Sequence, residues 1–384
     1  MKVLYQSRSE LRTKKGGDTI QMDKLAMGLK KFGVEVDINN KINQNLDNYD
    51  IVHIFNINHI VEFYPQIINA KKQNKKIVLS PIYHSVREIE KWEEENSYGF
   101  RKVLNVVGIK NQYLRDHFKN LYRIFFEGMF EKLHPLINQI YMGTKNQQRL
   151  AIELADIVLV QTKKEYEDIK SELGIGDFKY KVVVNGVDSN YQVPNPQLFI
   201  NKYKIQDFFL EVGRIEPRKN QLKVIEAVKK LREEGLISKD TKLVFIGDKN
   251  KHHQQYFKQF KKELENNDFI VHLGYLEYEM VQSAMAASRV HIYPSWFETT
   301  GLVAIEALLA GTRVVVSGTR VYEYVKEYGE YADPSSVDSI AGAIIKVLKK
   351  ESDPETIRTY ILENFTWDIA SKQSFEVYKN ILND

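Results

Sequence analysis

The sequence predicts two doubly wound α/β domains, each a Rossmann-like parallel sheet with helices on both faces. Three observations carry that prediction. Short, almost purely apolar runs recur along the chain, which is how strands buried on both faces read. Between them lie segments with apolar residues at helical spacing, as the crossovers of a parallel sheet require. The alternation breaks once, in the polar stretch 189–206 around Pro194 and Pro196, and then restarts. At roughly 150 residues per domain, 384 residues hold two or three.

The elements follow in order. KVLY (2–5) reads as a buried strand, and Met22, Leu25, Ala26, Leu29 and Phe32 mark a helix. VEVDI (34–38), DIVHIF (50–55), KIVLS (76–80), IVLV (157–160) and KVVV (181–184) are the remaining strands of the first half. After the polar break come FFLEVG (208–213), a helix with Leu222, Ile225, Val228 and Leu231, KLVFIG (242–247) and FIVHLG (269–274). A helix over 277–287, VHIYPS (290–295), a helix over 302–310, RVVV (313–316) and a helix over 337–349 complete the second half. The expected division is 1–190 and 205–365, with 366–384 a terminal helix and 85–149 a helical insertion.

Composition narrows the function. The chain is 43% hydrophobic and 28% charged, and no apolar run approaches the ~18 residues of a spanning helix. The start lacks the apolar core of a signal peptide, so a cytoplasmic protein is expected. Zero cysteines exclude disulfides, thiolate metal sites and cysteine nucleophiles. A net charge of +4 argues against nucleic acid as a partner, although 101–149 holds nine Lys/Arg against three Asp/Glu.

Ligands of open parallel sheets bind beyond the carboxyl ends of the strands, and two facing domains would enclose a cleft there. Three strand-to-helix loops carry chemistry. In PSWFETTGLVAIEALLAG (294–311), the N–H groups of Thr300, Gly301 and Leu302 open a helix and suit an anion. Glu298 and Glu306, eight residues apart on either side of Gly301, suit hydroxyls: a sugar on one side of a phosphate and a ribose on the other. In EVGRIEPRKNQ (211–221), Arg214 and Lys219 bring two cations to the same anion after Gly213, with Arg218 expected to be solvated. In KKGGDTIQ (14–21), Gly16 and Gly17 allow a phosphate to approach a helix start. A dinucleotide fingerprint is absent, which disfavours a dehydrogenase.

Together with DIVHIF, VVVNGVD (182–188), FIGD (245–248), HLGYL (272–276) and the closing FTWDIASKQSFEVY (365–378), these motifs resemble the family 4 retaining glycosyltransferases of the GT-B fold, over nearly the whole chain. The variants GGDT, SPIY and ETTGL look like a branch associated with surface polysaccharide synthesis. The resemblance implies transfer of a sugar from a nucleotide diphosphate donor with retained anomeric configuration. UDP is the commoner nucleotide of the family, and GDP stays open. The acceptor would be a hydroxyl of a glycan or a lipid-linked molecule. By match to the motifs, Arg214 and Lys219 would bind the diphosphate, Glu306 the ribose and Glu298 the donor sugar. Gly17 would face the phosphate, and Tyr275, Leu276, Thr299 and Leu302 would line the donor site. The last helix would cross back onto the N-terminal domain. His84, in SPIYHSVRE, matches a histidine that faces the donor, and Glu323 matches a glutamate near the nucleotide. Many members carry Gly-Phe where this chain has Thr299-Thr300, and Gly after the lysine where it has Asn220, read here as a helix N-cap.

His53 reads as a strand-packing histidine and His252-His253 as solvated. No Asp-x-Asp occurs, so no metal and no cofactor are expected, the cations and helix N-termini supplying the charge. In the insertion, Leu114, Phe118, Leu121, Phe125 and Met129 form an apolar stripe beside Arg115, Lys119 and Arg123. That pattern fits packing on the N-terminal domain, or peripheral contact with an anionic membrane. Two rivals share these features. A nucleotide-sugar 2-epimerase would turn over without an acceptor, and a non-catalytic nucleotide- or membrane-binding protein would not turn over at all.

Overall fold

Two parallel six-stranded sheets organise the chain, as the apolar runs predict. The structure is a computed structural model and describes residues 1–13, 16–96, 137, 139, 141–351 and 353–383. Contacts divide it into two units: Met1–Asn185 with Trp367–Asp384, and Gly186–Thr366.

The first unit contains β1 (Lys2–Gln6), α1 (Gly17–Lys30), β2 (Glu35–Ile38), β3 (Ile51–Phe55), α2 (Ile60–Lys72) and β4 (Lys76–Ser80). It continues with α3 (Val86–Glu95), α4 (Thr144–Leu154), β5 (Ile157–Val160), α5 (Lys163–Leu173) and β6 (Tyr180–Val182). The strand order is β2-β1-β3-β4-β5-β6, every neighbour parallel. β3 is buried at every residue because helices cover both faces of the sheet. The stripe Leu114–Met129 and its cations Arg115, Lys119 and Arg123 lie outside the described residues.

The second unit contains α6 (Pro196–Tyr203), β7 (Phe208–Val212), α7 (Gln221–Glu233), β8 (Lys242–Ile246), α8 (Gln254–Asn266), β9 (Ile270–His272) and α9 (Tyr278–Ala287). Then come β10 (Val290–Tyr293), α10 (Leu302–Leu309), β11 (Val314–Val316), α11 (Thr319–Val325), β12 (Gly329–Tyr331), α12 (Val337–Lys349) and α13 (Pro354–Asn364). Its order is β12-β11-β10-β7-β8-β9. α6 corrects the reading of 189–206 as a linker. Asn195 caps the Gln197 N–H, Pro196 occupies the first turn, where its missing N–H is harmless, and Phe199 is fully buried. β12 has no apolar signature, and its side chains are only partly buried at the sheet edge.

α14 (Trp367–Asn383) returns to the first unit and packs on α1. Tyr378 reaches the sheet through it: its hydroxyl lies 2.6 Å from His53 Nδ1 and 3.1 Å from the Tyr5 hydroxyl, and His53 Nε2 lies 2.8 Å from Ser80 Oγ. Burial pushes the imidazole well down and the Tyr5 and Tyr378 phenols up, so the chain of hydrogen bonds is neutral. His53 is thus the strand-packing histidine the sequence suggests. Where the chain leaves and re-enters this unit, the second unit holds the two passages together. Val187 N–H donates to Phe365 O at 3.0 Å, and Val187 bridges to Thr366.

Gly28 sits where α1 meets α14. A Cβ there would lie 2.0 Å from Ser371 Oγ and 2.7 Å from Ser371 Cβ. Gly28→Ala is therefore expected to destabilise the protein by about 1–3 kcal/mol through overpacking, despite alanine's better helix propensity. Urea unfolding measures it; an unchanged or raised midpoint would show that the helices do not approach this closely.

Candidate functional site

The second unit concentrates charge at the carboxyl ends of β7 and β10. Beyond β7 the backbone stays tied to the end of β8: Gly213 N–H donates to Ile246 O and Ile215 N–H to Asp248 O, both at 2.9 Å. A 3₁₀ turn, Pro217–Lys219, then reverses the chain into α7. The turn closes on Asn220 at φ +71°, a left-handed conformation that favours glycine and, after it, asparagine. Asn220 occupies the N-cap position, but its side chain does not cap the helix as expected. Its amide instead donates to Pro294 O at 3.2 Å and Pro334 O at 2.8 Å, binding this turn to the loop after β10.

That fastening brings the 3₁₀ turn against Glu298. Arg218 Nη1 donates to Glu298 Oε1 at 2.6 Å and Lys219 Nζ to the same oxygen at 2.7 Å, and the Tyr293 hydroxyl donates to it at 2.9 Å. Lys219 Nζ also donates to the Tyr293 oxygen and is buried. Burial opposes the Glu298 charge, but the Arg218 and Lys219 cations outweigh it and hold the carboxyl below its ordinary range. Behind Arg218 lies buried Glu216, which accepts from Arg218 Nη2 at 3.2 Å and from Asn250 Nδ2 at 2.5 Å. Burial raises the Glu216 carboxyl, and Arg218 chief among its partners brings it below the ordinary value.

Arg218 is therefore not the solvated cation the sequence suggests. Its side chain is 23% exposed and ion-paired on two sides, whereas Arg214 is 64% exposed with Glu216 3.8 Å away. The spacing Arg214-x4-Lys219 gives no sign that the intervening arginine turns inward. The signal was Glu216 and Glu298, each needing a partner if buried.

Gly301 begins α10 at φ +64°, a left-handed conformation that glycine adopts without strain. The Ala304 and Ile305 N–H groups bond back to Gly301 O, and the Gly301, Leu302 and Val303 N–H groups have no partner among the described residues. Thr299 is half-buried and Thr300 buried. Glu306, one turn into α10, is half-buried, and its carboxylate has no hydrogen bond or ion pair among the described residues. Burial first, and Asp188 second, push it up to about 7. After β9, Tyr275 is exposed and Leu276 half-buried, beyond Gly274, whose carbonyl accepts from Gly247 N–H at 2.7 Å. Glu323 is half-buried on α11.

Gly16, Gly17 and His84 belong to the first unit. Gly16 N–H donates to Thr19 Oγ1 at 3.2 Å at the start of α1. A carboxylate already sits there: Asp18 accepts from Arg8 Nε and Nη2 at 2.7 and 3.0 Å, from Asn56 Nδ2 at 3.3 Å and from Thr19 N–H at 2.9 Å. Sequence reasoning passed over this pair, which fixes the Gly-Gly loop. His84 is half-buried after β4, its N–H 3.4 Å from Asn58 Oδ1. Asn58 Nδ2 also donates to Ile82 O at 2.7 Å, and Ile82 stands at φ +46°, a strained conformation for a β-branched residue. Among the described residues, no group of three His, Asp or Glu is placed to hold a metal ion, and no helix is long and apolar enough to cross a membrane.

Residues 198–363 match the family described as glycosyl transferases group 1. An uncharacterized glycosyltransferase of Methanocaldococcus jannaschii is 28% identical over 58% of this chain and 59% of its own length. The O-antigen chain mannosyltransferase B of Escherichia coli is 29% identical over 47% of this chain and 48% of its own. The matched part thus spans about half to three fifths of these relatives. Among solved structures, sucrose-phosphate synthase of Thermosynechococcus elongatus superposes with a TM-score of 0.70 at 14% identity, covering 100% of both chains. Anabaena HepE in complex with UDP also gives 0.70, at 16% identity, over 99% of this chain and 100% of its own. The fold is GT-B, and the likeness to the group 1 glycosyl transferases rests on residues 198–363.

Glu306 makes a pH-dependent prediction. Burial holds its folded carboxyl up at about 7, above the ordinary value of 4.5. The folded state therefore holds its proton where the unfolded state has lost it, and stability falls as pH rises between the two values. Glu306→Gln removes this loss. It is expected to match the wild-type melting temperature near about pH 4.5 and to exceed it near about pH 8; an equal difference at both would refute the shift.

Proposed function

We propose that this chain is a retaining glycosyltransferase that moves a sugar from a UDP-sugar to a hydroxyl of a glycan or lipid-linked acceptor, without a metal ion. One observation carries the reading: within the family-matched segment, Arg218, Lys219 and Glu298 interlock at the carboxyl ends of β7 and β10 in the second unit. HepE, of the same fold, was solved with UDP and with UDP-glucose, which supports UDP as the nucleotide.

In this reading exposed Arg214 and the lysine face of the cluster receive the diphosphate. The N–H groups of Gly301, Leu302 and Val303, unpartnered among the described residues, add a helix-end dipole. Glu298 accepts hydroxyls of the donor sugar, and Glu306, without a hydrogen bond or ion pair among the described residues, accepts those of the ribose. Fixed positive charge stabilises the diphosphate as its bond to the sugar breaks. The departing phosphate takes the acceptor's proton on the same face, so configuration is retained, and His84 steadies the donor side. Contact of 101–149 with anionic lipid at the cytoplasmic membrane face belongs to the same proposal. Co-sedimentation with anionic but not neutral vesicles, weakened by salt, is the expected result.

Arg214→Ala and Lys219→Ala are each expected to cut turnover about 10²-fold or more. Activity is expected to persist in excess EDTA. The assay follows UDP release from UDP-glucose with and without glycan acceptors. Release without acceptor at the full rate, an inverted anomer by NMR, or loss on chelation restored by Mg²⁺ would each overturn the corresponding part.

A further inference from the structure

Arg218 does not sit where a ligand contact would. Its Nε and Nη2 both donate to Glu216 Oε1, at 3.3 and 3.2 Å, and its Nη1 to Phe297 O at 3.2 Å and Glu298 Oε1 at 2.6 Å. Four of the five guanidinium N–H bonds are thus committed to the protein. The turn is locked as well, since Trp296 N–H donates to Arg218 O at 2.9 Å.

The second fact is where Lys219 spends its charge. It is 8% exposed and bonded to Glu298 and Tyr293. Around it, Glu211 is fully buried with its Oε1 held by Gln221 Nε2 at 2.8 Å, and burial raises its carboxyl well above the usual range. His291 is fully buried, and burial with Lys219 nearby pushes it down to about 3. The ion pairs themselves set Arg214, Arg218 and Lys219 against Glu216 and Glu298, a net +1. Without Arg218 the count is zero, and Glu298 would pair with Lys219 alone.

We propose that Arg218 is a positioning residue that balances Glu298, so that Lys219 retains net positive charge for a diphosphate that Arg218 itself does not touch. The proposal rests on the donor-binding reading above. It assigns Glu298 a second effect besides holding hydroxyls: unbalanced, it becomes an internal competitor of the diphosphate for Lys219. In the balanced cluster two cations share one carboxylate oxygen, and Glu216 anchors the far side of Arg218. An arginine suits this role because its planar fork joins two carboxylates from two loops at fixed geometry.

The test is a series of four variants, Arg218→Ala, Arg218→Lys, Glu298→Gln and the double Arg218→Ala/Glu298→Gln, probed with UDP and with inorganic diphosphate by calorimetry. Arg218→Ala is expected to weaken both probes at least about tenfold. Arg218→Lys, which restores the charge, is expected to recover most of that loss. Adding Glu298→Gln to Arg218→Ala removes the unbalanced anion and is expected to return affinity to within about threefold of the wild type. A merely structural arginine would not be rescued by deleting the carboxylate it faces. Additive losses in the double variant, or tight binding by Arg218→Ala alone, would overturn the proposal. Arg218→Gln, with and without Glu298→Gln, repeats the comparison should the alanine variant melt early. Wild type that binds both probes yet releases no UDP from UDP-glucose would overturn the transferase reading, while the series would still decide the charge balance. Wild type that binds neither would overturn both.

Discussion

A carboxylate in a largely dry place must be matched by cations or it takes a proton, and the second unit is arranged around that requirement at Glu298. Two cations and a phenol converge on one of its oxygens, and all three come from backbone that ends at the same edge of the sheet. The 3₁₀ turn after β7 delivers Arg218 and Lys219, β10 delivers Tyr293, and the Asn220 amide bolts the two loops together. Removing any one partner leaves charge stranded where water is scarce. Such pairs contribute little net stability, but they specify one geometry, which is what a site for a charged ligand needs.

The sheets were legible because parallel strands covered on both faces are almost purely apolar, and β3, β4, β8 and β10 show it apart from the leading lysines of β4 and β8 and the buried His53, Ser80 and His291. β12 was not, since a three-residue edge strand with half-exposed side chains carries no such pattern. Pro194 and Pro196 read as a break; one of them starts a helix, and only the buried Phe199 distinguishes the two outcomes. In the candidate site, residue types and spacing singled out Glu298, Lys219 and Gly301, whereas the inward turn of Arg218 is a property of the 3₁₀ geometry. Nor does any local pattern announce that Asp18 pairs with Arg8, ten residues away across a loop.

The first unit is held by different means. α14 contributes a buried phenol to a neutral hydrogen-bond chain through Tyr5, His53 and Ser80, and a serine pressed against Gly28. The contact is close because α1 has no side chain at that point. The Lys31–Asp368 ion pair at 2.5 Å is more exposed and correspondingly weaker.

This return of α14 has a consequence for biosynthesis. The ribosome makes the first unit's sheet, then the whole of Gly186–Thr366, and only afterwards the helix that covers α1. Domains generally fold as units during synthesis. Here the second unit is complete in sequence while the first still lacks Tyr378 and leaves His53 without one of its two hydrogen bonds. The nascent first unit therefore waits with the α1 surface around Gly28 uncovered, and it is during that interval that a chaperone or a neighbouring nascent chain would meet it.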